Sequence, residues 1–388
     1  MKQAVQIGAG NIGRGFMGAI LERGGWHVTF ADVADTLIDA INRDKRYTVH
    51  ILDHECYQWE ITNISAVSSK GPELAPAIAQ CDLITTAVGP SVLPVIAVNV
   101  AEGIRARIAS GNRSPMNVIC CENGLRTTTR LKNETFKHLS EEEIAFCGEH
   151  IGFADCAVDR ICPRPLFDNP LDVAVEEYTE WDVEQSAWKG ELLSVKGLTY
   201  TDNLMACLER KLFTLNSAHA VCAYLGYLKG CETVLEAMRD DAICHLVHRG
   251  MQESGEGLIR KYGFDRDAHY AYVDRTLRRL LNPRLRDEIL RVGREPIRKL
   301  SAGDRLIKPL VTSSSYGLPV DHLIYGAAAA LYFNCPDDPE SAELQSRIEE
   351  DGVGAALAEI SGLEPGGTLH SRILEVYRAL GYGGLSNL

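Results

Sequence analysis

Two hydrophobic patterns divide the chain. In the first third, short apolar runs are each closed by turn chemistry. Gln3-Ala4-Val5-Gln6-Ile7 runs into Gly8-Ala9-Gly10-Asn11-Ile12-Gly13, and a helix-period stretch then continues to about Arg23, where Gly24-Gly25 stops it. Trp26-His27-Val28-Thr29-Phe30-Ala31-Asp32 is the next run and ends on an acid. Leu83-Ile84-Thr85-Thr86-Ala87-Val88 closes on Gly89-Pro90, and Val118-Ile119-Cys120-Cys121 closes on Glu122-Asn123-Gly124. Runs this short and this continuously apolar predict strands covered on both faces, as in a parallel sheet. Residues 47–69 alternate with period two and predict an antiparallel insertion.

After about residue 195 the period lengthens. Helices are predicted over 202–226, 231–261, 266–281 and 284–300, punctuated by Gly226, Gly230, Gly263 and Asn282-Pro283. The pattern predicts an α/β Rossmann-like domain over 1–195 and a mostly α-helical domain over 196–388.

Composition narrows the function classes. A chain of 388 residues can hold two cores, and 45% hydrophobic with 24% charged residues is an ordinary globular balance. The net charge of -13 argues against nucleic acid or an anionic membrane as partner. No apolar run reaches membrane-spanning length, and no apolar leader separates Met1 from the first strand. Twelve cysteines without a CxxC pair read as reduced thiols of a cytoplasmic protein.

The strand–glycine turn–helix–strand–acid order at the N-terminus is a dinucleotide signature. Ile7, Gly8, Ala9, Gly10, Asn11, Ile12, Gly13 and Arg14 are expected to line the cofactor site. Gly8 would permit the tight turn, Gly10 the approach of a pyrophosphate, and Gly13 the packing of helix on strand. The carboxylate of Asp32, nineteen residues past Gly13, would accept from the ribose hydroxyls and repel a 2′-phosphate. NAD is therefore expected over NADP, although Arg14 could pair with a phosphate. A flavin, or a glycine turn with no ligand, stays open at this point.

Lys211-Leu212-Phe213-Thr214-Leu215-Asn216-Ser217-Ala218-His219 sets an amine, an amide and an imidazole in an apolar helical run. Asn216 and His219 are neighbours at i,i+3. On a regular helix Lys211 would lie about 80° around the axis from His219. A buried lysine brought from about 10.4 to 7–8 reflects roughly 4 kcal/mol of differential solvation, and such an amine can take a proton from an alcohol. Asn216 could hold the oxygen that gives it up. The bland alternative is a solvated lysine beside a core histidine.

These residues resemble the polyol-specific long-chain dehydrogenases. The resemblance extends to Gly8-Ala9-Gly10-Asn11-Ile12-Gly13-Arg14-Gly15-Phe16, Thr85-Thr86-Ala87-Val88-Gly89-Pro90, Cys121-Glu122-Asn123, Ala157-Val158-Asp159-Arg160-Ile161 and Leu300-Ser301-Ala302-Gly303-Asp304-Arg305-Leu306-Ile307-Lys308-Pro309. It implies an NAD-dependent, metal-independent oxidoreductase, often monomeric, that interconverts D-mannitol 1-phosphate and D-fructose 6-phosphate. Another polyol, polyol phosphate or hexuronate is the alternative. It also implies Lys211 as general acid/base, Asn216 and Asn123 as amide donors to the reacting oxygen, and His219 as a substrate ligand.

Other clusters are less specific. His245 and His248 stand at HxxH spacing, which suits a zinc pair or a helix surface. Arg294, Arg298, Lys299, Arg305 and Lys308 could clamp a substrate phosphate or pair with nearby carboxylates, and Arg160 competes for the same role. Arg164 would border the same pocket.

Overall fold

A computed structural model describes residues 1–53, 55–163 and 167–383. Arg164 lies outside the described residues. The chain forms two compact units that part between Cys207 and Leu208.

Twelve strands are described in the first unit. They are β1 (Gln3–Ile7), β2 (His27–Asp32), β3 (Tyr47–Ile51), β4 (Tyr57–Ile61), β5 (Ile64–Ser68), β6 (Leu83–Thr86), β7 (Met116–Cys120), β8 (Ile151–Phe153), β9 (Cys156–Asp159), β10 (Val173–Val175), β11 (Glu180–Glu184) and β12 (Leu198–Thr201). The main sheet has the order β5-β2-β1-β6-β7-β8, and every described pairing in it is parallel. This is the doubly wound order, in which ligands sit beyond the carboxyl ends of the strands where the order reverses. That point is β1, which pairs with β2 on one side and β6 on the other. The central strands β1, β6 and β7 are buried on both faces, so alternation is absent from their sequences.

The predicted antiparallel insertion is present as β3 and β4, but the end of the same segment, β5, joins the main sheet in parallel. Two small sheets, β10-β3-β4 and β12-β11-β9, complete the unit. The short strands β8 to β12 carry no clear period and were not expected from sequence. Pairing partners far along the chain define them.

The second unit is helical in its described residues, as predicted, but its helices are shorter than the pattern implied. The expected 231–261 helix is two, Val234–Met238 and Asp241–Tyr262, because the Asp240 side chain accepts from Ile243 N at 3.1 Å and starts a new helix. The expected 284–300 helix is likewise two, Ile289–Gly293 and Pro296–Leu300, with Pro296 at the first turn of the second. Helix Ser217–Leu228 packs closely on Leu323–Ala330, half of whose residues are alanine. A Cβ on Gly326 would stand 2.4 Å from Val221 Cγ2. No helix among the described residues is long and apolar enough to cross a membrane.

Candidate functional site

In the first unit the site is built on the turn after β1. Gly8 has φ +92°, and a Cβ there would stand 2.6 Å from the Ala87 carbonyl oxygen beyond β6. A Cβ on Gly13 would stand 2.0 Å from Gly8 O, so the following helix rests directly on the turn. Around Gly10 the space is open, with nothing within 4 Å of an added Cβ. A backbone packed tightly below and open above fits the approach of a pyrophosphate. Asn11 is half-buried and Ile12 is exposed at the start of this helix. Ala9 is buried, and its N–H donates to Asp32 Oδ2 at 2.7 Å.

Asp32 also accepts at Oδ1 from Val33 N at 2.8 Å and Ala34 N at 3.0 Å. Its carboxylate thus ties the glycine turn to the end of β2 and keeps acceptor capacity for a hydroxyl. Gln6 is a supporting residue that sequence reasoning passed over. Its buried amide donates to Ile7 O at 2.9 Å and Gly8 O at 3.0 Å, and it accepts from Thr85 at 2.6 Å. A polar residue inside an apolar strand was the available signal.

Arg14 behaves differently from the expectation that it could meet a phosphate. It is buried, and its guanidinium donates to the carbonyl oxygens of Ala9, Leu171 and Pro170. Burial is the largest influence on it and lowers its pKa, while Tyr47, Asp32 and Asp172 oppose the shift. Arg160 is packed in a similar way. It donates to Glu176 O at 2.9 Å and lies over the Phe16 and Trp59 rings.

Asn123 is exposed in the loop after β7. Its neighbour Glu122 anchors that loop. The buried carboxyl accepts from Thr86 Oγ1 at 2.8 and 2.9 Å and from Val88 N at 3.1 Å. Burial pushes the Glu122 carboxyl up from its ordinary value, against the lowering effect of these bonds. Burial also raises the adjoining Cys120 and Cys121 thiols, which makes them poor nucleophiles.

In the second unit Lys211 ends the helix Leu204–Lys211, a π-helical turn follows at Leu212–Asn216, and Ser217–Leu228 resumes the α-helix. One regular helix was expected. A π turn is wider and rotates less per residue. It therefore brings Lys211 nearer to the Asn216–His219 face than the regular geometry would. Wide turns also disturb the carbonyl pairing, and Phe213 O here accepts from the buried Ser254 hydroxyl at 3.2 Å. From Phe213 to Gly226 every residue is buried except Asn216 and His219. Most of the apolar positions join a core with Val247, Leu310 and Ala327 among others.

His219 meets a partner the sequence did not suggest. Its Nε2 stands 3.1 Å from Asp287 Oδ2. Burial would raise the Asp287 carboxyl, but His219 and Arg291 outweigh it and bring it down to about 2. No motif joins the two residues, which lie far apart in the chain.

The basic cluster of 294–308 is engaged within the protein. Arg298 pairs with Glu295 at 2.7 Å and Asp304 at 2.9 Å, Arg305 with Asp304 at 2.7 Å, and Lys308 with Glu209 at 3.0 Å. The Lys299 amine is buried against the carbonyls of Val292 and Arg294. Arg294 is exposed. His245 packs against the His322 ring and His248 stands 3.9 Å from Asp274. Among the described residues no three His, Cys, Asp or Glu side chains are grouped to hold a metal ion.

Comparison with known proteins agrees with this architecture. Residues 2–197 match the mannitol dehydrogenase Rossmann domain and residues 203–380 the mannitol dehydrogenase C-terminal domain. The mannitol 2-dehydrogenase of Pseudomonas fluorescens, solved as a ternary complex with NAD and D-mannitol, is 16% identical. The match covers 100% of this chain and 93% of that one, with a TM-score of 0.78. A D-sorbitol dehydrogenase in substrate-free form is also 16% identical, over 98% of this chain and 93% of that one, with a TM-score of 0.80. At this identity the likeness is one of fold.

Proposed function

This chain belongs to the mannitol dehydrogenase family, and we propose that it interconverts D-mannitol 1-phosphate and D-fructose 6-phosphate with NAD. The observation that carries the reading is the burial profile of one helix. From Phe213 to Gly226 the Asn216 amide and the His219 imidazole alone keep access, next to a half-buried Lys211. An apolar wall that opens only at an amide and an imidazole is suited to a polyol.

The residues divide the work. Lys211 takes the hydroxyl proton in oxidation and returns it in reduction. Asn216 donates to the oxygen as it gains negative charge, and Asn123 supplies the second amide. His219 binds a neighbouring hydroxyl. NAD, when bound, supplies the acceptor for the hydride that leaves the carbinol carbon. The glycine turn from Gly8 to Gly13 would hold its pyrophosphate, and Asp32 would accept from its ribose hydroxyls and turn away a 2′-phosphate. The choice of a phosphorylated hexitol rests on the resemblance of the quoted segments.

Absorbance of NADH with D-fructose 6-phosphate, D-fructose, D-mannitol 1-phosphate and D-glucitol 6-phosphate side by side tests the reading. Fructose 6-phosphate and mannitol 1-phosphate should be turned over best. Efficient oxidation of free mannitol with indifference to the phosphate would reject the substrate and point to another polyol or a hexuronate. Lys211→Ala should lose most turnover while still binding NADH, and unchanged turnover would remove Lys211 from the mechanism.

A further inference from the structure

We infer that Asp287 is a positioning residue that holds the His219 imidazole with its proton on Nε2, leaving Nδ1 as the nitrogen that accepts from substrate. This rests on the reading of His219 as a substrate-binding residue.

The geometry is that of a fixed carboxylate behind a histidine. Asp287 Oδ2 lies 3.1 Å from His219 Nε2, an ion-pair contact whose angle is poor for a hydrogen bond, and this buried nitrogen finds no other partner among the described residues. A small turn of the ring would close the bond, and the other oxygen, Oδ1, accepts from Arg291. Asp287 is 5% exposed, so water competes weakly for its lone pairs. Its backbone is held on both sides. Val234 N donates to Asp287 O at 2.9 Å, Ile289 N donates to Glu232 O at 2.9 Å, and Thr233 and Glu288 form an antiparallel bridge. The segment that carries the carboxylate is therefore clamped to the 232–234 strand-like stretch, and the guanidinium fixes the rotation of the carboxylate itself.

The chemistry follows from donor and acceptor roles. A carboxylate at this depth accepts only, so the nitrogen facing it must carry hydrogen. In a neutral imidazole the second nitrogen then has the free lone pair. A histidine that binds a sugar hydroxyl as an acceptor needs this tautomer. Without the carboxylate the ring could take either tautomer and could turn about its side-chain bonds, and part of the population would present the wrong group. Partners that orient a functional histidine in this way are worth about 10–100-fold in activity or affinity at metal sites, and the same scale is expected here.

A double-mutant cycle tests the inference, with kcat and KM measured on D-fructose 6-phosphate and on free D-fructose, and NADH binding followed by fluorescence. Asp287→Asn should lower kcat/KM about 10–100-fold and leave NADH affinity as it is. In a His219→Ala background the same substitution should cost nothing more, because its effect passes through the ring. Wild-type turnover in Asp287→Asn, or losses that multiply in the double variant, would overturn the inference while the reading of His219 stands. Full turnover in His219→Ala would overturn both. The wild-type protein offers a second route that needs no change at Asp287. Nitrogen-15 spectra of histidine-labelled enzyme with NADH, assigned by the signal missing from His219→Ala, should show His219 protonated on Nε2. A ring protonated on Nδ1 alone would refute the proposal even if Asp287→Asn fails to fold.

Discussion

Lys299 makes a prediction that involves no substrate. Its side chain is 4% exposed, and its amine donates to the carbonyl oxygens of Val292, at 2.7 Å, and Arg294. Burial is the main influence on it, and the Arg305 and Arg298 charges add to it, against Glu295 and Asp304. The result is a pKa brought down from 10.5 to about 7. The sign follows directly. The folded pKa is depressed, so between about pH 7 and 10.5 the unfolded chain binds more protons and stability rises with pH. The contribution is complete above the unfolded value and is lost as pH falls through the folded one. At about 1.36 kcal/mol per unit the whole shift is worth roughly 5 kcal/mol, and two pH units inside the window roughly 2–3 kcal/mol. Urea unfolding of wild type and Lys299→Met from pH 7.5 to 9.5 isolates this effect, because other titrating groups are shared by both proteins. The variant strands two carbonyls, which displaces its curve at every pH without changing its slope. The difference between the two stabilities should widen by about 2–3 kcal/mol across that range. Parallel curves would show that Lys299 titrates normally and that its burial has been misjudged.

Gly13→Ala places a methyl 2.0 Å from Gly8 O, which only movement of the backbone can relieve. We expect a loss of about 1–3 kcal/mol in stability and a marked loss of NADH binding by fluorescence titration, and wild-type affinity would refute the packing argument. Asp32→Asn should lower the preference for NADH over NADPH and also lower the melting temperature, since Ala9 N, Val33 N and Ala34 N all donate to this carboxylate. An unchanged cofactor ratio would separate Asp32 from the ribose. Glu209 is buried between Lys261 at 2.6 Å and Lys308 at 3.0 Å. Burial would raise its pKa, but bonds from these lysines and Tyr262 hold it below the ordinary 4.5. Glu209→Gln should cost about 1–3 kcal/mol at neutral pH, discounted for the partly exposed lysines, and the gap should close as pH falls below the ordinary carboxylate value. A gap that persists in acid would mean that the loss is steric. Dialysis against EDTA should leave the rate with fructose 6-phosphate unchanged, and a loss restored by added zinc would contradict the proposed chemistry.

The parts of the fold legible in the sequence are those specified locally. β1, the glycine turn and β2 are written in adjacent residues, and each carries its own turn or cap. The long helical periods after residue 200 are legible for the same reason. The short strands β8 to β12 were not, because three to five residues with no period are defined by partners elsewhere in the chain. The candidate site divides along the same line. Lys211, Asn216 and His219 share one helix and announce themselves by spacing. Asp287, Glu122 and Gln6 act through buried polar contacts formed only on folding. The basic segment left two readings open, a phosphate clamp and pairing with nearby carboxylates. In the fold Glu295, Asp304 and Glu209 are close enough in space to engage Arg298, Arg305 and Lys308, a pairing that no spacing along the chain decides.

The π turn at Leu212–Asn216 carries a consequence for how this helix tolerates insertion and deletion. A π turn behaves as an α-helix that has absorbed one extra residue. The segments before and after it are therefore out of phase by about one helical step. Deleting a single residue from the turn would restore a regular helix, with better backbone bonding than the native one. It would leave the face bearing Lys211 nearly where it is relative to Asn216 and His219, because the wide turn already absorbs the rotation of the extra residue. Regularising the turn at its native length would instead swing that face by about 100°. Such a shortened chain is expected to be at least as helical as the parent and to keep Lys211 aligned with Asn216 and His219. In this helix the wide turn lets one surplus residue be carried without moving the chemistry off its face.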